Sequence, residues 1–169
     1  VKEIDAKDNI LIPGVIDAHV HFREPGLTYK GDIESESIAG LAGGVTSFMD
    51  MPNTIPNTVT VEALEEKYKI AAANSVANYS FFMGLTRDNM EEALKVGTED
   101  VCGLTDDGLY FNEQQILANN PEYLEKLFSR AETLVALHSE DESIIDHNYE
   151  YYFEETNGQI PFSLHAKIR

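Results

Sequence analysis

Pro13-Gly14-Val15-Ile16-Asp17-Ala18-His19-Val20-His21-Phe22-Arg23-Glu24-Pro25-Gly26 reads as a buried strand that runs into ligand-type side chains and stops at a turn. Val15 to His21 is apolar and β-branched at its start, and Pro13-Gly14 precedes it as a turn. Side chains alternate along a strand, so residues two apart share a face. His19 and His21 can then reach a single metal ion, and by the same count Asp17 falls on their face. The plainer alternative is two polar residues at a solvated strand end.

Outward from this stretch, strand-like and helix-like segments alternate. Thr28 to Leu41 reads as a helix stopped by Gly43-Gly44, and Val45 to Met51 as a second buried strand closed by Pro52. Thr60 can cap a helix through about Asn74, with Val61, Leu64, Tyr68 and Ala71 on one face. Val76 to Met83 is a third strand, Thr86 to Val96 a short helix and Val101 to Leu104 a fourth strand. Pro121 to Arg130 is helical, Thr133 to His138 a fifth strand, and Asp141 to Thr156 a helix ended by Gly158.

Strands separated by helices predict parallel βαβ units. The polar and ionisable residues His19, His21, Asn53, Asp106, Asp107 and His138 gather just after strands. A (β/α)₈ barrel places its active site at that end, and a doubly wound sheet does the same. A closed barrel needs eight strands and about 250 residues. Five predicted strands in 169 residues are therefore expected to be an incomplete barrel.

Composition narrows the function classes. A hydrophobic content of 43% in 169 residues supports one domain with a core. No stretch approaches the roughly 18 apolar residues of a membrane span, and no secretory signal opens the chain. Cys102 is the single cysteine, which excludes an internal disulfide and a thiolate zinc finger and fits a reducing cytoplasm. The net charge of −18, from 12 basic and 30 acidic residues, disfavours nucleic acid and acidic lipid as partners. Acidic runs such as Glu140-Asp141-Glu142 and Glu154-Glu155 are expected on helix faces.

The stretch from Asp17 to Gly26 resembles the opening motif of dihydroorotases, metal-dependent cyclic amidohydrolases. Gly43-Gly44-Val45-Thr46 and Met51-Pro52-Asn53-Thr54 resemble the next two blocks of that family. Ile4-Asp5-Ala6 and Leu11-Ile12-Pro13-Gly14 resemble the passage from its small β-domain into its barrel. The resemblance thus implies that residues 1–13 end the small domain and residues 14–169 form the N-terminal half of a TIM-type amidohydrolase barrel. It is weakest between Leu104 and Asn120. Arg23 separates the chain from allantoinases, which usually carry asparagine there, and suits a carboxylate substrate held in a bidentate fork.

The resemblance also implies roles. His19 and His21 hold the more buried of one or two zinc ions, His138 is a ligand of the second, and Arg23 and Asn53 bind the carboxylate of dihydroorotate. Many relatives carry a carboxylated lysine on the fourth strand, where this chain has Thr105. Thr105-Asp106-Asp107-Gly108 instead resembles a second dihydroorotase type, in which the aspartate at position 107 binds metal and Asp106 is its neighbour. An ordinary Asp-Gly turn is the competing reading, as is a hydrogen-bonded histidine for His138, or an ion pair with Glu24 or Glu36 for Arg23. His147 reads as structural, His165 as structural or substrate-facing, and Cys102 as a small buried residue. The family's later histidine and its catalytic aspartate are expected beyond Arg169, so residues 1–169 alone are expected to be inactive. The implied partners are a small-molecule substrate and either a homo-oligomer or the missing half. The rivals are an allantoinase or hydantoinase, and a catalytically silent scaffold subunit.

Overall fold

In a computed structural model, which describes residues 3–109 and 120–169, five parallel strands alternate with helices along the chain. The strands are β1 (Val15–Val20), β2 (Val45–Asp50), β3 (Asn78–Gly84), β4 (Gly103–Thr105) and β5 (Val135–Ala136). They pair in sequence order, each neighbour parallel. Helices α1 (Ile33–Ala42), α2 (Val61–Asn74), α3 (Met90–Ala93), α4 (Pro121–Arg130), α5 (Glu142–Glu155) and α6 (His165–Ile168) follow. Among the described residues this is the five-strand part of a curled, incomplete (β/α) barrel. The core lies between sheet and helices. Phe48, Phe81, Met83 and Leu104 from the strands meet Leu64, Ala71 and Leu127 from the helices, and Tyr68 of α2 stacks edge-on against Phe81 at 4.8 Å.

Local chemistry moves several predicted boundaries. α1 begins at Ile33 rather than Thr28. Asp32 caps it by accepting from Ser35 N at 2.7 Å, and Glu24 Oε2 accepts from Ile33 N at 2.8 Å. α3 shrinks because Asn89 commits the preceding residues to a turn. Its side chain accepts from Thr86 N and donates to Gly84 O and Val59 O. β5 covers only Val135–Ala136, so His138 stands two residues past its end. α2 and α4 run as predicted, capped by Thr60 and Asn120. α5 is capped by Asp141, so Glu140 and Asp141 of the first acidic run precede the helix.

One correction bears on the site. Between Asp17 and Val20 the register of β1 against β2 shifts, from Asp17↔Phe48 to Val20↔Asp50. Three steps of β1 face two of β2, and strict alternation fails across such an irregularity. Asp17 therefore lines an outer crevice with Val20, Phe22 and Phe48 against α1, not the face of His19 and His21.

Candidate metal centre

β1 ends inside the sheet's concave rim, and there the predicted ligands meet. His19 Nε2 and His21 Nε2 lie 3.2 Å apart. Asp107 Oδ2 lies 3.2 Å from the first and 3.5 Å from the second. Donors bound to one tetrahedral zinc at about 2.0–2.1 Å are necessarily about 3.3 Å from one another. The three separations match that figure. In a flat sheet the end of β4 stands three strand spacings, about 14 Å, from β1. Contact at 3.2 Å between Asp107 and His19 therefore requires the sheet to curl.

The donor chemistry fits a cation. Asp107 Oδ2 is buried and has no hydrogen-bond partner, although it faces both imidazoles. His21 Nδ1 lies 2.8 Å from Asn53 Oδ1. With Nδ1 donating to Asn53, the neutral ring carries its lone pair on Nε2, toward the other two donors. The second carboxylate oxygen, Asp107 Oδ1, lies 3.3 Å from His138 Nδ1. The two oxygens of one aspartate thus address two positions, one shared with His19 and His21 and one with His138.

Asp106 and Asp107 diverge sharply. Asp106 is buried, and its Oδ1 accepts from His138 N at 2.9 Å, which ties the end of β5 to the end of β4. Leu109 N donates to Asp106 O, and Gly108 takes a positive φ of 70°, so Asp106 to Leu109 form a tight turn. The Asp-Gly turn and the ligand reading are therefore compatible: the turn is what aims Asp107 at the histidines. Thr105 accepts from Asp107 N through its hydroxyl at 3.1 Å and helps hold that turn.

Asn53 and Arg23 sit on loops that are pinned together. Ile55 N donates to Pro25 O at 3.0 Å, and a Cβ on Gly26 would stand 2.1 Å from Ile55 O, so only glycine permits this approach. The Asp107 turn rests on Asn53 in the same way, since a Cβ on Gly108 would lie 2.4 Å from Asn53 Nδ2. Arg23 is half-buried on the turn just after β1. Among the described residues its guanidinium forms no ion pair with Glu24 or Glu36; the Glu24 carboxylate is engaged by Ile33 N instead.

Sequence reading passed over Asp50, Lys67 and the positioning role of Asp106. Asp50 and Lys67 are both fully buried and form an ion pair at 2.6 Å. The available signal was a lysine on the apolar stripe of α2, three residues after Leu64 and four before Ala71. His147 is exposed on α5, and His165 stacks on Phe162 at 5.7 Å, away from the cluster. Burial pushes the Cys102 thiol up to about 11, which leaves it a poor nucleophile.

A family model described as dihydro-orotase-like matches residues 8–156. The chain belongs to this family. It is 35% identical over 148 residues to a dihydroorotase of Methanosphaera stadtmanae, a match that spans 85% of this chain and 32% of that protein. It is 38% identical over 152 residues to a dihydroorotase of Clostridioides difficile, spanning 85% of this chain and 34% of that protein. The chain thus covers about a third of the length of these relatives. Among solved structures, an L-hydantoinase from Arthrobacter aurescens superposes with a TM-score of 0.65 at 25% identity, over 87% of this chain and 33% of that one. An inactive dihydroorotase-like domain of a Chaetomium thermophilum multifunctional protein superposes at 0.58 with 18% identity, over 83% and 42%, and shares the fold.

Proposed function

We propose that the protein is a dihydroorotase, which opens the cyclic amide of dihydroorotate with water to give N-carbamoyl-aspartate, a reversible step of pyrimidine biosynthesis. The observation that carries this reading is the spacing of His19 Nε2, His21 Nε2 and Asp107 Oδ2, which suits one tetrahedral ion. In this reading His19, His21 and Asp107 hold zinc, and Asp107 Oδ1 with His138 holds a second ion. Zinc in such a site lowers the pKa of bound water to about 7 and polarises a carbonyl. The protein's own residues do the rest of the ordering. Asn53 fixes the ring orientation of His21, and Asp106 fixes the backbone at His138. Arg23 offers a planar fork to the substrate carboxylate, and Asn53 Nδ2 completes that contact. Charge at one end of the substrate then sets where its ring carbonyl lies.

The same reading makes residues 1–13 the end of a small β-domain and residues 14–169 the first half of the barrel. A homo-oligomer, or the barrel's other half, then completes the enzyme. The substrate is a small molecule, with no nucleic-acid or membrane partner, and the compartment is the cytoplasm. No helix among the described residues is long and apolar enough to cross a membrane.

The test is a ring-opening assay of the zinc-loaded full-length protein with dihydroorotate, hydantoin and allantoin in parallel. Dihydroorotate is the expected substrate. Arg23→Lys should raise KM for it at least about tenfold with metal content unchanged, since lysine keeps the charge but loses the fork. Preference for hydantoin, or normal kinetics in that variant, overturns the assignment.

A further inference from the structure

The buried pair beneath the metal centre touches two strand ends at once. Lys67 Nζ lies 2.6 Å from Asp50 Oδ2, and both side chains are sealed from solvent. Lys67 also donates to Met51 O at 2.8 Å, and its ammonium sits 4.8 Å from the centre of the Phe81 ring. Asp50 Oδ1 accepts from Phe22 N at 2.8 Å. Burial pulls the Lys67 pKa down and Asp50 opposes it, as expected for a charge held inside by one partner.

Such a pair is costly to bury, and two well-packed apolar side chains often stabilise a fold as well or better. What apolar side chains cannot supply is the two hydrogen bonds. One grips Phe22, the residue after His21. The other grips Met51, two residues before Asn53. His21 and Asn53 are themselves joined at 2.8 Å. The pair, the two strand ends and the His21–Asn53 contact form a closed loop of interactions.

We propose that Asp50 and Lys67 are positioning residues for the metal centre: by clamping the backbone at Phe22 and at Met51 they hold Asn53 where it orients the His21 ring. This rests on the metal-binding reading of His19, His21 and Asp107. The clamp acts through geometry and not through charge, so a neutral pair that keeps both hydrogen bonds should replace it.

The experiment compares two neutral double variants of the full-length protein, stripped of metal and titrated with Co²⁺ while its absorption is followed. In Asp50→Asn/Lys67→Gln, asparagine still accepts from Phe22 N and glutamine still donates to Met51 O. In Asp50→Asn/Lys67→Met the donor is lost at similar size and equal charge. The first should bind Co²⁺ within about threefold of the unsubstituted protein. The second should bind at least about tenfold more weakly, the low end of what an outer partner of a ligand contributes, with an altered visible band and a similar unfolding midpoint. Equal Co²⁺ affinity in the two doubles overturns the inference. Failure of either double to fold also overturns it, because the pair is then a folding element. His21→Ala separates the two levels. It should abolish tight Co²⁺ binding, and if it does not, the metal reading itself falls and the clamp with it.

Discussion

Two aspartates at strand ends of the same sheet, Asp50 closing β2 and Asp107 just past β4, are answered in opposite ways. Asp50 faces an ammonium that is always at hand, Lys67, and the pair is fully enclosed. Asp107 faces three imidazoles, His19, His21 and His138, with its side chain 15% exposed. Lysine brings protons and a charge, so Asp50 is satisfied by the chain itself. Among the described residues Asp107 has no such cation beside it: its Oδ2 faces two imidazole nitrogens, at 3.2 and 3.5 Å. A complete internal ion pair is architecture. Three donor atoms converging at the separations of a tetrahedral zinc site are a request for a cation.

The comparison breaks first at Lys67. Lys67→Met leaves Asp50 buried and unpaired, and should cost about 3–5 kcal/mol of stability in urea unfolding. A loss below about 1 kcal/mol would mean that Asp50 finds another partner and is not sealed.

The next effect belongs to the other aspartate. Zinc at about 100 times its dissociation constant should stabilise the protein by about 2.7 kcal/mol, and Asp107→Ala should remove most of that gain. Calorimetric melts with and without metal read it directly. Equal stabilisation in the variant would take Asp107 out of the site.

Asp106→Ala should behave unlike its neighbour. It removes the carboxylate that accepts from His138 N and should cost about 1–3 kcal/mol of stability. Zinc should still stabilise this variant clearly, because His19, His21 and Asp107 remain in place. Loss of metal response equal to that of Asp107→Ala would erase the division of labour within the turn.

The smallest effect sits next to the sealed pair. Burial raises the Cys102 thiol from 9.0 to about 11, so near pH 8 the folded protein carries roughly 100-fold less thiolate there than the unfolded chain. Alkylation by iodoacetamide should slow accordingly. Labelling at the unfolded rate would show that this part of the core opens.

Periodicity and caps made the alternation of strands and helices legible. α2 was readable end to end because Thr60 caps an apolar stripe of 3.6-residue period, and α4 because Pro121 suits a first helical turn. The start of α1 was not, because Glu24 Oε2, from a loop nine residues earlier, helps set it at Ile33. His19 and His21 were legible as a pair from local alternation. The same rule misplaced Asp17, because a register shift is a property of two strands and leaves no mark on one.

The sequence by itself determined the residue types of the site and their order on successive strand ends: His19 and His21, Asn53, Asp107, His138. Only the tertiary structure decided how they meet. Curling of the sheet brings Asp107 to within 3.2 Å of His19, and a β-turn chooses Asp107 over Asp106. Asp50 and Lys67, 17 positions apart, become one pair. The physical reason is range. Alternation, capping and turn preference act over a few residues and are written in the chain. Sheet curvature and the pairing of buried charges arise between segments, where no local pattern records the distance.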